Sequence, residues 1–158
     1  RVGFVWLILT RQKLPSIDQD RYTSARNLAK GAYILSDADD KQPELILIGT
    51  GSELQLAVGA AEILRKEGIK TRVVSMPSWE LFELQDEQYR NTVLPPNARK
   101  RLAIEAGVTF GWYKWVTSDG DVIGIDRFGL SAPGEEVMEY FGFTISNVCD
   151  RARKLIAK

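Results

Sequence analysis

The chain has 158 residues, with 21 Lys and Arg balanced by 21 Asp and Glu, no histidine and one cysteine. That length makes about one domain. The zero net charge excludes nucleic-acid binding and membrane adsorption driven by electrostatic excess. No apolar run approaches the roughly 20 residues of a membrane span.

The missing histidine removes Ser–His–Asp and Cys–His catalysis, His-ligated zinc and the commonest general base near neutral pH. A lone Cys149 forms neither an internal disulfide nor a cysteine metal cluster and fits a reducing, cytoplasmic setting.

In chain order, Phe4-Val5-Trp6-Leu7-Ile8-Leu9 is a continuous apolar run that reads as a strand buried on both faces. Residues 12–20 are polar, aperiodic and carry Pro15, a connection. A short strand is predicted at 32–35 and a buried one at 45–48, which turns at Gly49-Thr50-Gly51 into a helix. Ser52 and Gln55 have capping-box spacing. Leu54, Ala57, Val58, Ala61 and Leu64 form the apolar stripe of that helix. Arg65, Lys66 and Gly68 suit its carboxyl end. Residues 72–76 predict a strand stopped by Pro77, and 78–84 and 86–92 two short helices. A further strand is predicted at 101–105, a helical turn at 111–116 and a last strand at 121–125. Pro133, with Glu135 and Glu136, opens a helix at a favoured first position. A closing helix at 145–157 carries Val148, Ala152, Leu155 and Ile156 on one stripe. This alternation specifies an α/β fold: a three-layer sandwich whose mostly parallel, Rossmann-like sheet has helices on both faces.

A few places in this pattern can carry chemistry. Gly49-Thr50-Gly51-Ser52-Glu53 puts free backbone N–H groups at a helix start, where a phosphate can sit. It lacks the third glycine of the dinucleotide fingerprint and the lysine of a P-loop, and Glu53 would repel an anion. The other reading is a tight turn capped by Ser52. Arg11 closes a buried strand, where its planar fork meets either a phosphate or carboxylate ligand or a neighbouring acid. Glu105, before Ala106-Gly107, ends a strand at the edge where ligands gather, so it is either a general base or a capping or interface carboxylate. Gly111-Trp112-Tyr113-Lys114-Trp115 interleaves aromatic and basic groups, as base-stacking surfaces do. With one lysine there, the reading is an interface or core anchor, and with a third indole at Trp79 a partner surface on another domain or subunit is expected. Asp126-Arg127-Phe128-Gly129 reads as a solvated loop or local ion pair, and Cys149 as a quiet thiol.

Taken in order, Leu9-Thr10-Arg11-Gln12, Lys30-Gly31-Ala32-Tyr33, Gly49-Thr50-Gly51-Ser52-Glu53 and Val73-Val74-Ser75-Met76-Pro77-Ser78 resemble the carboxyl-terminal part of transketolase. The resemblance continues through Tyr89-Arg90, Val93-Leu94-Pro95, Ile104-Glu105-Ala106-Gly107, Gly124-Ile125-Asp126-Arg127-Phe128-Gly129 and Ser131-Ala132-Pro133. It implies that residues 1–28 are the tail of a middle, pyrimidine-binding domain with its linker, and 29–158 the carboxyl-terminal domain. It also implies a cytoplasmic homodimeric parent that moves a two-carbon ketol unit between sugar phosphates in the pentose phosphate pathway. Thiamine diphosphate and a divalent cation (magnesium or calcium) would be held by the other two domains. This part would bind no cofactor and be inactive alone, with a structural or dimer-supporting role beside the other domains and a second subunit. Arg11 matches the family arginine that helps hold the sugar phosphate, and no catalytic residue carries over. Residues 1–6 depart from the small and polar residues expected there, and Tyr113 stands where many relatives have histidine. On the residues alone, the alternative is a free-standing nucleotide- or phosphate-binding α/β module.

Overall fold

The computed structural model describes residues 12–158; the strand predicted at 4–9 and Arg11 lie outside the described residues. Five strands form one sheet: β1 (Tyr33–Ser36), β2 (Leu45–Gly49), β3 (Thr71–Ser75), β4 (Lys100–Ile104) and β5 (Asp121–Ile123). Their order is β1-β3-β2-β4-β5; β1 runs antiparallel at one edge and the other four are parallel. The expected α/β sandwich with a mostly parallel sheet is therefore what the chain forms. Central β2 is buried at every position, as a strand covered on both faces must be.

The helices are α1 (Leu54–Lys66), α2 (Trp79–Glu83), α3 (Glu87–Val93), α4 (Tyr113–Val116), α5 (Gly134–Tyr140) and α6 (Ile145–Ile156). Strand alternation divides the core between the two faces of the sheet. Leu45, Leu47, Val73 and Leu102 pack with Ala57, Ala61 and Leu64 of α1 and Val148, Ala152 and Leu155 of α6. Ile46, Ile48, Val74 and Ala103 pack with Phe82, Val93, Trp112, Trp115 and Val116 under α2, α3 and α4.

Local chemistry accounts for most boundaries. The side-chain oxygens of Ser78, Asp86 and Thr144 cap α2, α3 and α6, accepting from the N–H of Leu81, Tyr89 and Asn147. Gly68 takes the left-handed cap position after α1 at φ +88°. Three local readings need correction. There is no capping box at Ser52 and Gln55: Gly51 (φ +56°) bends the chain into a single 3₁₀ turn, Gly51–Glu53, and Glu53 precedes the first α-helical residue. The Ser52 hydroxyl donates to the Glu53 carboxylate, a charged and stronger acceptor. Pro133 is the N-cap of α5 rather than its first residue. The last strand stops at Ile123, because Ile125 N–H turns to the Gly107 carbonyl in the next loop.

The chain goes from β2 to β3 on one side, then returns past β2 to β4 on the other. The carboxyl ends of β2 and β4 are thus the topological switch point, where open α/β sheets bind ligands.

Candidate functional site

Loops after β2, β3 and β4 meet at this edge around a cleft of about 210 Å³, lined by Thr50, Pro77, Ser78, Glu80, Glu105 and Trp112 among others. The crevice between β2 and β4 is bridged from inside. Glu53 is only 5% exposed. One of its oxygens accepts the Ala106 N–H at 3.2 Å and the other accepts the Ser52 hydroxyl. Its carboxylate is thus satisfied by donors of the chain itself, from the loop after β4 and from the residue before it. A buried acid beside the Gly49–Glu53 turn disfavours an anion there.

Glu105 points from the end of β4 toward the same cleft, but its Oε2 accepts the indole Nε1–H of buried Trp112 at 2.5 Å. That ties β4 to the turn before α4, and the carboxylate serves as the indole's hydrogen-bond acceptor.

The expected partner surface of indoles is also corrected. Trp112 and Trp115 are buried in the chain's own core. Trp79 stands edge-on to Trp112 with centroids 5.1 Å apart, and Trp115 packs on Phe82 at 5.3 Å. The cost of leaving three indoles wet is met by stacking them on one another. Gly111 makes this possible: at φ +90°, its missing Cβ would stand 2.7 Å from the Trp79 ring. Lys114 turns out to solvent and pairs with Glu83.

In the loop after β5, Asp126 and Arg127 do not pair with each other. Asp126 accepts the N–H and hydroxyl of Thr109 at 2.9 and 2.8 Å, which holds its carboxyl below the ordinary Asp range. Arg127 lies over the rings of Tyr140 and Phe141. Cys149 is buried, its thiol pushed up by burial, in keeping with a quiet role.

Sequence reasoning missed two buried arginines at the opposite edge. Arg72 and Arg101 both stand in register with Ile46, one on each neighbouring strand. Arg72 makes a fork with Asp37 at 2.7 and 2.9 Å and donates to the Thr92, Val93 and Lys41 carbonyls. Arg101 meets no carboxylate; it donates to the carbonyls of Ala98, Trp115, Leu94 and Pro95. Burial pushes its guanidinium below the ordinary value, with a smaller push from Arg99. A basic residue near the start of each of two strands was the available signal.

No three His, Cys, Asp or Glu side chains among the described residues cluster to hold a metal ion. No helix among the described residues is long and apolar enough to cross a membrane.

Comparison with known proteins agrees with this layout. Residues 31–144 match the model of the transketolase-like TK C-terminal domain. The chain is 53% identical to a transketolase of Aquifex aeolicus over 152 residues, which is 96% of this chain and 22% of that protein. It is 49% identical to a transketolase of Geobacillus stearothermophilus, over 96% of this chain and 23% of that protein. A crystal structure of Pichia stipitis transketolase in complex with sedoheptulose-7-phosphate superposes with a TM-score of 0.82 and 37% identity, over 93% of this chain and 20% of that one. The chain thus spans about a fifth of the length of these relatives.

Proposed function

We infer the role of this chain from its family: it belongs to the transketolases, whose carboxyl-terminal domain it matches. The parent protein transfers a two-carbon ketol unit from a ketose phosphate to an aldose phosphate, as a cytoplasmic homodimer serving the pentose phosphate pathway. Thiamine diphosphate and its magnesium or calcium ion are held by the parts of the parent beyond this chain. Residues 1–28 are the tail of the middle domain and its linker, 29–158 are the carboxyl-terminal domain, and Arg11 contributes its guanidinium to the sugar phosphate. The domain itself is structural and inactive alone. The observation that supports this reading is the match of residues 31–144 to the carboxyl-terminal domain of the transketolases, with the Glu53 carboxylate at the switch point already held by the Ala106 N–H.

The test is ketol transfer, measured with and without added thiamine diphosphate, by the native polypeptide isolated from its source and by the 158-residue chain. The expected result is activity in a polypeptide several times the 17.8 kDa of this chain, and none in the chain itself. Activity in the short chain, or a native product of that small size, overturns the reading. In the parent, Arg11→Ala is expected to raise KM for phosphorylated substrates at least tenfold while leaving nonphosphorylated acceptors unaffected.

A further inference from the structure

The carboxyl edge of the sheet has an outer rim distinct from the switch-point cleft. Val108 and Phe110 follow β4, Phe128 and Leu130 follow β5, and all four are exposed, the two phenylalanines at 87% and 95%. These are not two independent loops. Thr109 donates twice to Asp126, and Ile125 N–H bonds the Gly107 carbonyl at 2.7 Å, so the loops form one tied unit. Gly124 permits this closeness: a Cβ there would stand 2.8 Å from Thr109 Cγ2 and 2.9 Å from the Gly107 carbonyl. A buried aromatic ring removes about 150–250 Å² from water, so Phe110 and Phe128 alone leave on the order of 300 Å² of apolar surface exposed. That is the scale of an apolar interaction patch.

We propose that this rim, Val108, Phe110, Phe128 and Leu130 on the Thr109–Asp126 clamp, is the docking surface for the larger part of the parent transketolase chain. Two observations select that occupant over a separate protein. The chain spans about a fifth of its relatives, so most of the parent polypeptide lies beyond it and is tethered to it. Residues upstream of β1 reach the same edge: Gln12 and Lys13 line one cavity of about 620 Å³ with Gln55 and Leu56 of the first turn of α1 and Gly134 and Glu135 of the first turn of α5. Tethering makes such a contact intramolecular, so a patch of modest area suffices.

The proposal rests on the reading of the parent given above. Its test is hydroxyl-radical footprinting of the full parent protein, with each ring's oxidation rate compared with its rate in denaturant. Phe110 and Phe128 are expected to be protected about tenfold, although this chain alone leaves them exposed. Protection below threefold overturns the proposal. Protection that vanishes on hundredfold dilution assigns the rim to a second copy instead, and overturns it as well. Ketol transfer measured on the same sample separates the two readings: an active preparation with unprotected rings overturns the docking surface alone, and an inactive one overturns the assignment of the parent.

Discussion

The two edges of the sheet use opposite charges for the same task. At the amino edge, Arg72 and Arg101 donate to carbonyls at the end of α3, beyond it at Leu94 and Pro95, and in α4 at Trp115. At the carboxyl edge, Glu53 precedes α1 and accepts the Ala106 N–H, while Glu105 accepts the Trp112 indole N–H just before α4. Helices that run back against parallel strands put their carbonyl ends at one edge and their N–H ends at the other. Cations are favourable at the first edge and carboxylates at the second. The same polarity makes the carboxyl edge of many α/β proteins bind anionic ligands. Here two carboxylates of the chain itself stand at that edge, tied to a loop N–H and an indole.

Substitutions at the amino edge break the comparison most severely. Arg72→Met leaves Asp37 unpaired and three carbonyls without a donor, and is expected to cost about 3–5 kcal/mol in urea unfolding. Arg101→Met takes the guanidinium from four carbonyls, of which Pro95 keeps the Ala98 N–H, and strands no charge; it is expected to cost about 3 kcal/mol. A loss under about 1 kcal/mol for both would show that water replaces the guanidinium groups, and that this edge is not held by them.

At the carboxyl edge the expected losses are smaller, since the cleft admits water. Glu53→Ala frees the Ala106 N–H and is expected to cost about 2 kcal/mol. The same variant sharpens the comparison. With the internal carboxylate gone, inorganic phosphate should raise the thermal midpoint of the variant, while the parent sequence shows no shift. A phosphate-dependent shift with Glu53 in place would restore the phosphate-binding module as a reading. Trp112→Phe keeps the ring packing and removes only the bond to Glu105, an expected loss of about 1 kcal/mol in the same unfolding measurement.

How far each feature was legible depends on where its partner lies. Residues 45–48 announced a strand because a strand covered on both faces is a run of apolar residues, which needs no knowledge of neighbours. Ser78, Asp86 and Thr144 act on N–H groups three residues ahead, yet Ser52 failed as a cap because Glu53 offered its hydroxyl a charged acceptor. Glu53 was visible as an acid beside a helix start, but its donor at Ala106 lies 53 residues away. Arg72 and Arg101 were read as ordinary strand residues because most of their partners are backbone carbonyls, which every residue type provides. The indoles signalled a burial cost; that their cover was Trp79 and Phe82 depended on Gly111 admitting the Trp79 ring.

The smallest expected effect concerns the clamp under the outer rim, an anionic tie at this edge that faces solvent. Asp126 accepts the Thr109 N–H and hydroxyl, and those bonds lower its carboxyl below the ordinary value near 3.9. A carboxyl depressed in the folded state supports the clamp fully above its unfolded pKa, and that support is lost as pH falls through the lower folded value. The Thr109 amide proton resonance should therefore titrate with a midpoint below about 3.9, and Asp126→Asn should flatten the titration. Salt should move the midpoint little, because hydrogen bonds rather than a nearby cation set it. A midpoint at or above the ordinary value would mean that the clamp is not closed in solution. The loops after β4 and β5 would then move separately, and the rim would lose the fixed shape that distinguishes it from two exposed rings.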